Sequence, residues 1–154
     1  MTLWIVIGII LVVVIVSRFR IAPSAKVRLA DVPALFAKTQ SAPKDPSYAQ
    51  LCFAAPDGKS KDNAVNLQFC REEGRMGFEW SLLPPRGLED KENFIVFAEG
   101  RGQHPVAVEA KNGYKCLRVE DGDLIGLMEA VLRDFYAVPS EATMDLIYDG
   151  FTWP

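Results

Sequence analysis

The side chains that could make a thiol nucleophile and its imidazole base in this 154-residue chain are the three cysteines, Cys52, Cys70 and Cys116, and the single histidine, His104. A thiol attacks well only as a thiolate, and a neighbouring imidazole can take its proton. A Cys52–His104 or Cys116–His104 pair would therefore suit a small hydrolase or thiol enzyme. The local sequence does not bring such a pair together, because His104 sits in the loop-like run GRGQHP, far along the chain from either cysteine. Three widely spaced cysteines without a C-x-x-C pair describe reduced, partly buried thiols, with neither a disulfide framework nor a zinc site.

The remaining polar clusters have structural explanations. Glu120, Asp121 and Asp123 lie close together but lack the further ligands of a twelve-residue calcium loop, and capping the helix that follows accounts for them. Gly100-Arg101-Gly102 is too short to cradle a phosphate and follows a helix instead of opening one. Glu89, Asp90 and Glu92 suit the positive end of a helix dipole. With no Walker sequence, nucleophile elbow or metal cluster, no catalytic residue, metal ligand or cofactor is assigned, and a binding role is favoured over an enzyme.

The segment that would place these groups in the cell is the start of the chain. Thr2 to Ser17 carries no charged side chain. About 16 helical residues rise roughly 25 Å, a little short of a hydrocarbon core of about 30 Å. Arg18 and Arg20 would close the gap by extending their stems toward the headgroups, with Trp4 near the opposite interface. A cleaved secretory signal is the competing reading, with Ala22, Ser24 and Ala25 as a cleavage-like run and a mature start near Lys26. It fits less well, since a signal peptide is basic before its apolar core and here the basic residues follow it. Basic residues beside a span stay on the cytoplasmic side, so the expected localisation is the cell membrane, single-pass, N-terminus outside and the rest cytoplasmic.

Charge is unevenly distributed behind a net value of −3. Arg18 to Lys44 holds six basic residues against one acid, whereas Leu88 to Pro154 holds six against thirteen. The basic neck suits an anionic leaflet and the acidic distal half stands off it. The same acidity argues against a nucleic-acid partner.

The rest of the chain reads as one domain. Val32 to Lys38 is expected as a short helix with Asp31 as its cap and Pro33 in its first turn, followed by a linker from Thr39 to Ser47. Tyr48 to Ala54 reads as a strand and Pro56 to Asn63 as an exposed loop. Alternation in Val65–Cys70 and Met76–Leu82 gives a hairpin turning at Glu73-Gly74, with Leu67 opposite Trp80 and Phe69 opposite Phe78, and Trp80 in the core. Leu88 to Gly100 is expected as a helix with Leu88, Lys91, Ile95 and Ala98 on one face. Asn112-Gly113 marks a second hairpin, with Val108 opposite Leu117 and Val106 opposite Val119. Leu124 to Tyr136 is the clearest helix, and Thr143 to Tyr148 a last strand. Phe151 and Trp153 either pack back on the sheet or face a partner.

The expected architecture is α+β: a transmembrane anchor (1–20), a basic juxtamembrane neck with a short helix and linker (21–47), and a cytosolic domain (48–154) with a mainly antiparallel sheet and two covering helices. The expected partners are the lipid bilayer and either another protein or a second copy, with the domain serving interaction or assembly at the membrane.

Overall fold

A computed structural model describes residues 24–56, 63–109 and 113–154. The expected anchor, with Trp4, Arg18 and Arg20, lies outside the described residues, as does most of the expected loop after Pro56. No helix among the described residues is long and apolar enough to cross a membrane.

Among the described residues seven strands form one wholly antiparallel sheet: β1 (Ser24–Val27), β2 (Ser47–Ala54), β3 (Ala64–Glu72), β4 (Arg75–Ser81), β5 (Val106–Glu109), β6 (Lys115–Val119) and β7 (Met144–Asp149), in the order β1-β7-β2-β3-β4-β6-β5. Among the described residues four α-helices accompany it: α1 (Val32–Gln40), α2 (Arg86–Glu89), α3 (Lys91–Glu99) and α4 (Leu124–Ala130), the last continuing as a π-helical turn over Val131–Phe135. The α+β class follows directly, with the short helix of the neck and both covering helices present and the one expected over 88–100 divided in two. Period-2 alternation sorts the sheet into two faces. Leu51, Leu67, Phe69, Phe78, Trp80, Leu117, Val119 and Leu146 share the face that packs against Val32 and Leu35 of α1, Phe94 and Ala98 of α3, and Leu127 and Met128 of α4. The opposite face carries the polar members of the same strands.

The β3–β4 hairpin forms in the expected register, Leu67 with Trp80 and Phe69 with Phe78. Its two-residue turn uses Glu73 at φ 52° and Gly74 at φ 75°, the left-handed pair that matches strand twist. Trp80 is buried, stacked on Phe94 at 4.9 Å between centroids, and its Nε1–H donates to Tyr136 Oη at 2.9 Å. The π turn supports this arrangement. Tyr136 N–H reaches back to Val131 C=O at 3.0 Å, and both Phe135 and Tyr136 join the aromatic cluster with Phe94 and Phe53. Arg86, also buried, pairs with Asp90 and lies over the Tyr136 ring at 5.6 Å.

Four local expectations are revised. The sheet begins at Ser24, ahead of residue 48: β1 pairs with β7, Val27 and Leu35 are buried, and the expected linker is tied down by Asp45, whose carboxylate accepts from the backbone N–H groups of Glu73 and Gly74 at 3.1 and 2.7 Å. The helix over 88–100 breaks at Asp90, which shifts its phase, so Phe94 and Ala98 face the core while Leu88 is exposed. The β5–β6 hairpin is one residue out of the expected register, pairing Val106 with Arg118 and Val108 with Cys116. This register puts five residues between Glu109 and Lys115, so both valines move to the polar face of the sheet. The expected cap Asp31 accepts from the Arg28 backbone N–H at 2.8 Å instead of capping α1, whereas Asp123 caps α4 through Gly126 N–H at 2.9 Å.

Candidate functional site

The face of the sheet away from the helices is built from Gln50 and Cys52 on β2, Asn66, Gln68 and Cys70 on β3, Gly77, Glu79 and Ser81 on β4, and Cys116 and Arg118 on β6. An antiparallel sheet with one uncovered face normally exposes its polar residues there. Here Glu79, Ser81, Arg118 and Cys116 are buried nonetheless.

Their burial is matched by a hydrogen-bonded chain across three strands. Gln68 Nε2 donates to Glu79, whose other oxygen accepts from Arg118 Nη1, and the two charged side chains are each 8% exposed. Arg118 Nε donates to Glu120 Oε1 at 2.7 Å, and Arg75 Nη1 donates to Glu120 Oε2 at 3.0 Å. The pairing of two cations with two carboxylates leaves the network neutral. Burial alone would lower the Arg118 pKa, but the bonds to Glu120 and Glu79 outweigh it and hold the guanidinium charged. Gly77 makes this geometry possible: a Cβ there would sit 2.6 Å from Arg118 Cζ, so the guanidinium lies flat on bare backbone.

The thiols are held protonated. Burial and the Glu79 charge push Cys116 up to about 12 and Cys70 up to about 11, and burial raises Cys52. None carries the lowered pKa of an activated nucleophile. His104 stands at the other end of the β5–β6 pair. Its Nδ1 is 2.7 Å from Asp121 Oδ2, and its backbone N–H donates to Asp121 Oδ1 at 3.1 Å. The bond to Asp121 raises the imidazole pKa and lowers that of the carboxyl.

The structure does not join His104 to a cysteine. Cys116 lies five residues back along the chain from Asp121, roughly 16 Å at strand rise, and Cys52 lies on β2, four strand spacings from β5, roughly 19 Å. Among the described residues, no three His, Cys, Asp or Glu side chains converge as a metal site would need. His104 and Asp121 instead border an open cleft of about 370 Å³ with Arg118, Glu120, Val106 and Val108. This cleft meets the outer edge of the sheet, where Val106 is 61% and Val108 38% exposed.

Phe151 and Trp153 are half-buried against the core, Phe151 stacking on Tyr148 at 5.2 Å. Phe151 also borders a shallow cleft of about 460 Å³ with Lys38, Ala42, Pro43 and Gly150. The sequence reading missed the Glu79–Arg118 pair and the exposed valines of β5. The first was hidden because β4 and β6 are far apart in the chain, and the second because the wrong register buried both valines. The alternation of Gln68, Cys70, Glu79 and Arg118 with core residues was the one available signal for a shared polar face. No protein-family model, curated protein or solved structure matches this chain.

Proposed function

We propose that this chain is a single-pass membrane protein, N-terminus outside, whose cytosolic α+β domain serves protein–protein interaction or assembly at the bilayer surface. The observation that carries the reading is the uncharged run Thr2–Ser17 followed at once by Arg18 and Arg20. That pattern supports retention of the anchor and the orientation of its flanks. Among its described residues His104 pairs with Asp121 and not with a cysteine, and the Cys70 and Cys116 thiols are protonated near neutral pH. It does offer an exposed apolar sheet edge and the half-buried Phe151 and Trp153 beside a shallow cleft.

The test is the full-length chain with a C-terminal tag, expressed in cells and fractionated. The expected result is a chain that stays in the membrane pellet after alkaline carbonate, with the tag shielded from protease added outside. On solubilisation in mild detergent it should migrate as a complex larger than one chain. Release of a soluble domain starting near Lys26 on the outer side would overturn the anchor and its orientation. A strictly monomeric chain without a co-purifying protein would overturn the assembly role.

A further inference from the structure

We propose that β5 is the pairing edge for a second copy of this chain, joining two domains through a twofold axis into one continuous antiparallel sheet. The proposal rests on the assembly reading above and names its partner. Among the described residues nothing pairs with the outer side of β5, whereas β1, the other edge strand, adjoins the segment that leads to the expected anchor. The two edges are six strand spacings apart, roughly 29 Å.

The backbone shows which groups point outward. Leu82 N–H donates to Lys115 C=O at 2.9 Å, so residues 115, 117 and 119 direct their backbone bonds toward β4. Cys116 and Arg118 therefore bond toward β5, where they face Val108 and Val106. The N–H and C=O groups of Ala107 and Glu109 are left at the free edge. A natural edge strand is commonly guarded by charged side chains. Each edge carries one ion-paired charge, Lys26 on β1 with Asp145 at 2.6 Å and Glu109 at the end of β5 with Lys115 at 3.6 Å, and β5 also exposes the side chains of Val106 and Val108.

An axis normal to the sheet keeps like faces together, so only same-face residues can lie opposite each other. Centring it on Ala107 places Ala107 opposite Ala107 of the second copy as a hydrogen-bonded pair. Val106 then lies opposite Val108 of the second copy, twice. These are non-hydrogen-bonded pairs, in which side chains approach most closely. Glu109 N–H faces the C=O of Pro105, and this outer pair makes that one bond only, because Pro105 has no N–H to give the Glu109 C=O. Centring the axis on Val108 would bring only one valine pair together, so the Ala107 register is favoured. Four valines then cover one another beside the cleft bordered by Arg118, Glu120 and His104. A four-residue edge is short for a stable interface, and confinement of both copies to one bilayer supplies the effective concentration it needs.

The test uses the full-length chain in membranes carrying Ala107→Cys, with the wild-type chain and Glu109→Cys as controls, under mild oxidation and a non-reducing gel. Opposed hydrogen-bonded residues have Cα atoms about 5.5 Å apart, within disulfide reach, whereas the two Glu109 positions would be separated by four residues, about 13 Å. The expected result is a disulfide dimer with Ala107→Cys several-fold above both controls. Adding Val106→Lys and Val108→Lys should abolish it while the urea midpoint of the domain holds. Equal cross-linking at 107 and 109, or cross-linking that survives the lysines, overturns the proposal. If 107 fails while the chain is membrane-integral and recovered with a different protein, β5 pairing falls and the interaction role stands.

Discussion

Arg118→Met is the substitution that most directly tests whether the polar face of the sheet is as closed as its geometry implies. Removing the guanidinium leaves the Glu79 carboxylate, 8% exposed, with Gln68 as its remaining side-chain partner. Deleting one member of a buried ion pair costs about 3–5 kcal/mol, and the surviving Gln68 bond puts the expectation near 3 kcal/mol. In a domain of about 130 residues each kcal/mol is worth roughly 3–5 °C, so the midpoint of thermal unfolding should fall by about 9–15 °C. Glu120 does not lessen the loss, because it is bonded to Arg118 and Arg75, not to Glu79. The companion variant Arg118→Met/Glu79→Gln removes the stranded charge and should return to within about 1–2 kcal/mol of wild type. The assay is urea and thermal denaturation of residues 24–154 followed by circular dichroism, for both single variants and the double. A cost below about 1 kcal/mol for Arg118→Met, with no coupling to Glu79→Gln, is what a solvated surface pair gives, and would refute the reasoning.

Other expectations follow from the same packing. Tyr136→Phe strips the acceptor from the buried Trp80 Nε1–H and should cost about 1–3 kcal/mol in urea denaturation, with Trp80→Phe/Tyr136→Phe costing less than the sum of its parts. His104, the single imidazole, should titrate by NMR above its usual 6.5, and Asp121→Asn should bring it down. Because the folded value is raised, the imidazole's contribution is complete below pH 6.5 and lost as pH rises through the folded value. Asp121 has a lowered value and its contribution is lost only as pH falls through that value, so the pair acts between the two limits. Cys116 should react with a thiol reagent at pH 8 more slowly than Cys52 and far more slowly than in urea, and Glu79→Gln should speed it by removing a nearby negative charge.

The element most completely readable from the chain is the β3–β4 hairpin. Glu73-Gly74 can adopt the left-handed turn, and both flanking strands alternate with large apolar residues, so only one register buries Phe69, Phe78, Leu67 and Trp80 together. In the β5–β6 pair the same logic failed. Val106 and Val108 are apolar but are not buried, and an Asn-Gly signal alone does not set the loop length. The helix over 88–100 was readable by type but not by phase, since the break at Asp90 depends on a bond from Arg86 and on Phe94 meeting Trp80.

By itself the sequence determined what is encoded within a few residues: periodicity, the turn at Glu73-Gly74, a cap from the acidic run before Leu124, and an uncharged N-terminal run beside basic residues. The tertiary structure decided what depends on partners distant in the chain. It set β1 beside β7, joined Glu79 to Arg118 across 39 residues, placed His104 away from every described cysteine, and left the valines of β5 at an open edge. The physical reason is that a strand's alternation tells which residues share a face, whereas the identity of the neighbouring strand, and so the charge or solvent that each face meets, is set by how the whole sheet closes its core.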